Sequence, residues 1–104
     1  MTDRIETFRQ MVARSPQNAL ARFGLANELL KARAWAEAAG ELEAYLELYD
    51  DEGSGWGRLA EARAALGDVA GARTALENGI QASRQFNHQG MAAEFEARLD
   101  ELEQ

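Results

Sequence analysis

Apolar residues recur at every third or fourth position through most of this chain, which is the spacing of one helix face rather than the alternation of a strand. Gly and Pro break the pattern at regular intervals and leave six amphipathic stretches. The first runs from about Thr2 to Arg14, with Ile5, Phe8 and Val12 on one face and Ser15-Pro16 as its stop. The second runs from about Asn18 to Arg33, and the third from Trp35 to Tyr49 with Ala38, Leu42, Tyr45, Leu46 and Tyr49 at helical spacing. The fourth runs from Gly53 or Ser54 to Leu66 and ends at Gly67, with Asp68 placed to cap the next. The fifth, Val69 to about Arg84, aligns Ala72, Leu76 and Ile80; the sixth, about Gly90 to Leu102, aligns Met91, Phe95, Leu99 and Leu102. Connections of two to five residues make neighbouring helices antiparallel.

Composition sharpens this into an all-α fold. Ala supplies 21 of the 104 residues, Pro one, and β-branched residues are few, so intrinsic propensity favours helix throughout. An all-β or parallel α/β fold is excluded. A chain of this length buries roughly 65% of its unfolded surface, enough for one core, so one domain over 1–104 is expected.

Charge narrows the partners. The formal net charge is −7, with Arg63, Arg73, Arg84 and Arg98 spaced among acids, so no basic patch offers itself to nucleic acid or to an anionic membrane. No run of apolar residues is long enough for a membrane span, and the first residues lack the apolar run of a signal peptide. With no Cys there is no disulfide frame and no thiolate metal site, and the cytoplasm is the expected compartment. Arg outnumbers Lys ten to one, a bias of GC-rich bacterial genomes.

Sliding the chain along itself until Leu25 meets Leu59 also superposes Ala26 on Ala60, Ala38 on Ala72, Leu42 on Leu76 and Leu46 on Ile80. Two helices within a period of about 34 residues make a helix-turn-helix repeat. The segment 53–86, with Trp56, Leu59, Ala60, the turn Gly67-Asp68, then Ala72 and Leu76, resembles a tetratricopeptide repeat. The segment 19–52 resembles a weaker copy. It keeps Leu25, Ala26, Ala38 and Leu42, but has Arg22 where that family favours Trp and Arg33-Ala34 where it favours Gly-Asp. Asp50 and Arg84 stand where a helix-ending Pro is usual, and Tyr45 and Gly79 where Ala is commoner. The resemblance implies antiparallel helix pairs stacked as a short superhelix, with 1–16 a leading helix and 87–104 a capping helix.

A catalytic centre is hard to assemble from these residues. His88 is the one histidine and reads as a solvated loop residue, with no acid or nucleophile near it in sequence. Ser15, Ser54 and Ser83 lie near helix ends, where serine is usually a cap or turn residue. Gly53-Ser-Gly-Trp-Gly57 lacks both the spacing and the Lys of a phosphate loop. Asp50, Glu52, Ser54, Gly55 and Glu61 fall at the positions of a calcium-binding helix-loop-helix, but Gly57 stands where an apolar β-branched residue normally pairs, and the repeat accounts for the segment without calcium. No enzymatic activity and no cofactor are expected. Trp35 and Trp56 are expected in the core, filling gaps between helices.

What remains is binding. The resemblance implies that the first helix of each pair lines a concave groove for a peptide or helix of another protein. On this chain those positions are Leu20, Phe23, Asn27, Leu30 and Lys31 in the second helix, and Ser54, Gly57, Glu61, Ala64 and Ala65 in the fourth. Met91 and Phe95 of the sixth either join them or are buried. Lys31 is the one cation among them, so a carboxylate clamp is not expected. Between Ala34 and Gly57 there are seven acids and no base, a solvated face or a field that favours a partner with basic flanks. The expected function is a protein-interaction scaffold or adaptor. The rival is a self-assembling homodimer, whose groove or end helices pair two copies; the bland reading of Leu20, Phe23 and Leu30 is that helix one or a second copy covers them.

Overall fold

A computed structural model describes residues 3–104, all helix and turn. Thr2, where the sequence pattern begins the first helix, lies outside the described residues. Six α-helices follow in order among them: α1 (Arg4–Arg14), α2 (Ala19–Lys31), α3 (Trp35–Leu48), α4 (Ser54–Ala65), α5 (Val69–Gln85) and α6 (Gln89–Leu102). They form two compact units, one ending at Asp50 and the other running from Asp51 to Gln104. In the first, α2 packs on both α1 and α3; in the second, α5 packs on both α4 and α6.

Helix starts follow cap chemistry. The Asp3 carboxylate accepts from the Ile5 and Glu6 amides, Asn18 from Ala21, and Asp68 from Gly71. At α4 the capping position is Gly53, which has no side chain to offer, and Asp51 replaces it. Its buried Oδ1 accepts from Gly53 N at 2.7 Å and Gly55 N at 2.8 Å. Asp51 is not one of the positions matched to a calcium loop, and those positions gather no ligand set: Asp50 and Glu61 are exposed and Glu52 is bonded to His88.

Three helix ends are closed by one device. After α2, Ala34 N donates to Leu29 O and Arg33 N to Leu30 O; after α4, Asp68 N donates to Arg63 O and Gly67 N to Ala64 O; after α5, His88 N donates to Ser83 O and Asn87 N to Arg84 O. These paired bonds are Schellman closures, which require a left-handed residue just past the helix. Arg33, Gly67 and Asn87 occupy that place, with φ of 59°, 83° and 64°. The first turn therefore keeps the geometry of Gly67-Asp68 without its residues, although Ala34 supplies no side-chain cap to α3.

Five apolar pairs that the repeat offset superposes share their burial. Leu25 and Leu59, Ala26 and Ala60, Ala38 and Ala72, and Leu42 and Leu76 are all buried, and Leu46 and Ile80 are both half-buried. Trp35 and Trp56 are half-buried rather than enclosed, since each sits in the first turns of its helix. Ser83 is fully buried inside the last turn of α5, its hydroxyl donating to Gly79 O at 2.7 Å. The buried Phe95 of α6 lies against Gly57 of α4 and Gly79 of α5, where an added Cβ would come within 2.7 Å and 3.0 Å of its ring. Arg98 follows one turn later, donating to Gly57 O at 3.0 Å.

Candidate partner-binding groove

The first unit carries an open groove of about 400 Å³ between α1 and α2, lined by Phe8, Met11, Asn18, Leu20, Ala21, Phe23, Gly24 and Asn27. On α2, Leu20, Phe23, Gly24 and Asn27 recur at intervals of three and four and so share one face. Opposite them Phe8 and Met11 stand one turn apart on α1. Gly24 lets the Phe8 ring rest on the α2 backbone, since a Cβ there would collide with it. At the mouth of the groove Leu20 is 80% exposed and Met11 41%. An apolar leucine this bare is costly to keep in water, at about 25 cal/mol per Å² of apolar surface.

The floor is firmer. Phe23 stacks on Tyr45 of α3 at 4.6 Å between ring centroids, and Tyr45 on Tyr49 at 5.6 Å, so Phe23 has a packing role whether or not the groove is occupied. Leu30, grouped with these residues by sequence spacing, does not line the groove. It packs against the Leu25, Leu29 and Ala38 cluster beside Ile5, Phe8 and Val12. Lys31 is not a lining residue either, and its Nζ is 3.6 Å from a Glu28 oxygen that Arg4 approaches to 2.7 Å.

Glu61 is an exposed residue of α4 and belongs to the second unit. Of its companions in α4, Ser54 is half-buried, Gly57 is buried, and Ala64 and Ala65 are exposed. A smaller groove of about 260 Å³ lies among α4, α5 and α6, lined by Ala60, Ala64, Ala72, Leu76, Arg98, Glu101 and Leu102. Met91 is half-buried in α6.

The acidic run is partly consumed by intramolecular pairing. Arg9 of α1 makes a two-pronged contact with Glu37, at 2.6 and 2.9 Å, and Arg22 of α2 reaches Glu41 at 2.9 Å. The Arg9 hydrogen bonds and charge hold the Glu37 carboxyl below its ordinary value, and the same contact raises Arg9. Glu52 Oε1 lies 2.9 Å from His88 Nε2. The acid beside His88 thus comes from far away in the chain, where sequence proximity could not reveal it. Among the described residues no group of three or more His, Asp or Glu gathers to hold a metal, and no helix is long and apolar enough to cross a membrane.

Antiparallel helix pairs that repeat their buried positions at one fixed period define a helical-repeat protein. No family model matches the sequence. The TPR repeat-containing protein PA0015 of Pseudomonas aeruginosa is 42% identical over 76 residues, covering 73% of this chain and 72% of that protein. The chain belongs to the tetratricopeptide repeat family, and in general terms it is a protein-binding module.

Proposed function

We propose that this protein is a scaffold or adaptor that holds a peptide or helix of another protein in the α1/α2 groove. The observation that carries this reading is Leu20, 80% exposed at the edge of a groove that is apolar except for Asn18 and Asn27. Large apolar side chains in contiguous exposed patches mark interaction surfaces. Leu20, Phe23 and Asn27 would face the partner. Leu30 supports the helix from behind, and Lys31 would act at the end of the site. Glu61, exposed on α4, would meet a partner at the second unit.

Two repeats, 19–52 and 53–86, preceded by the helix of 1–16 and closed by 87–104, are the organisation we favour. The matching left-handed turns at Arg33 and Gly67 support it. The basic flanks suggested by the acidic run would have to meet α3, where Glu37 and Glu41 are already held by Arg9 and Arg22. We place its working compartment in the cytoplasm, in keeping with a chain that has no cysteine to form disulfides.

The same bare leucine also favours a second reading, in which two copies cover each other's grooves as a homodimer. One pair of experiments separates them. Proteins captured from a lysate of the source organism by the wild-type chain and lost with Leu20→Glu support the partner reading. Sedimentation of the purified chain as a dimer, dissociated by the same substitution, supports the homodimer. Capture unaffected by Leu20→Glu, from a chain that sediments as a monomer, would overturn both.

A further inference from the structure

Resting on the groove reading above, we infer that the segment entering the α1/α2 groove is apolar in its middle and acidic at its ends. None of the eight residues lining the groove is charged. The charges that bracket it are positive. Arg14 lies one turn beyond Met11 on α1 and makes no ion pair among the described residues. Lys31 lies one turn beyond Asn27 on α2, its side chain 72% exposed, and shares the single acid Glu28 with Arg4.

The surrounding balance agrees. Residues 3–33 hold six bases against three acids, Asp3, Glu6 and Glu28. All three acids are engaged: Asp3 caps α1, Glu6 lies 3.7 Å from Arg9, and Glu28 lies between Arg4 and Lys31. Residues 34–50 hold five acids and no base, yet Arg9 and Arg22 reach across to two of those acids. The surplus of negative charge in the first unit thus falls on residues 34–50, and Arg14 and Lys31 leave the ends of the groove positive. At 1.5 Å per residue about 20 Å of α2 separates Asn18 from Lys31. A helical occupant would place its acidic ends about four turns apart, and an extended one about six residues apart.

A displayed library of random 16-residue peptides, selected against the full chain at low salt, tests this. Enriched peptides are expected to be apolar with Asp or Glu toward both ends. Enrichment should vanish with Leu20→Glu. In the Arg14→Glu/Lys31→Glu double variant, affinity for the selected peptides should fall about tenfold, as loss of two rim ion pairs allows. Selection of Lys- or Arg-flanked or neutral peptides that still require Leu20 would overturn the acidic ends and leave the groove reading standing. Enrichment indifferent to Leu20→Glu, or none, would overturn both. A dimer of the chain alone that Leu20→Glu dissociates would make a second copy the occupant and overturn the inference.

Discussion

Arg33 and Gly67, one repeat apart, occupy the same point of the same turn and hold the same left-handed backbone, with φ of 59° and 83°. The arginine bears a Cβ penalty there that the glycine does not, of about 1–2 kcal/mol. Glycine gives back part of this gain through the entropy of the unfolded chain. Arg33→Gly is therefore expected to stabilise the protein by about 0.5–1 kcal/mol, and Gly67→Ala to destabilise it by about 1 kcal/mol. Thermal unfolding followed by circular dichroism should show Tm moving in opposite directions for the two.

Gly57→Ala is expected to cost about 1–3 kcal/mol, because the new methyl would meet the Phe95 ring within 2.7 Å. Shortening the ring should relieve the clash. In urea unfolding, the double variant Gly57→Ala/Phe95→Leu should lose less than the two single losses added together.

Asp51→Ala leaves the amides of Gly53 and Gly55 without their acceptor at a buried helix start. A loss of about 1–2 kcal/mol is expected, the upper range for a capping residue. Asp51→Asn, which retains a carbonyl oxygen at the same reach, should recover most of it. Equal losses in the two variants would mean that the charge, not the acceptor, is what the site requires.

The Arg9–Glu37 contact predicts a dependence on acid. Glu37 is held below its ordinary value of 4.5 when folded, so the folded state binds this proton less readily than the unfolded chain. Its stabilisation is complete above that ordinary value and is lost as the pH falls through the lowered one. The effect is small, because both side chains are more than 40% exposed and screened by water. Denaturation midpoints measured from neutral to acidic pH should show a steeper decline below 4.5 for wild type than for Glu37→Gln.

Leu20→Glu should leave stability within about 0.5 kcal/mol of wild type, because the side chain is 80% exposed and gives up little packing. Phe23→Ala should cost stability as well as binding, through its stack on Tyr45. Comparing urea midpoints with affinity for any selected peptide would separate the two roles.

The helices and their buried faces were legible because burial follows period. Leu25, Leu42, Leu59 and Leu76 can be read as core from spacing alone, and all four are buried. Contacts that depend on where distant turns meet could not be read that way. His88 and Glu52 are separated by the whole of α4 and α5, and nothing local marks them as partners. Position within a helix also misleads. Leu30 continues the Leu20, Phe23 and Asn27 series at helical spacing, yet it packs, as do Ile5, Phe8 and Val12 of α1, against the buried Leu25, Leu29 and Ala38. Ser83, expected at a helix end, has its hydroxyl satisfied by the preceding turn and so tolerates full burial. The acidic run is plain in the sequence, but which acids arginines neutralise depends on the angle at which α1 and α2 approach α3.

Within each unit the helices pack chiefly on their neighbours in sequence, α1 on α2 and α2 on α3, then α4 on α5 and α5 on α6. The chain therefore closes only short loops on the way to its native state, and the entropy spent before the first contacts form is small. Refolding on the order of microseconds to milliseconds is the expected regime for such local topology. During synthesis, the contacts of the first three helices need no residue beyond Asp50, so they can form while the ribosome is still adding the rest.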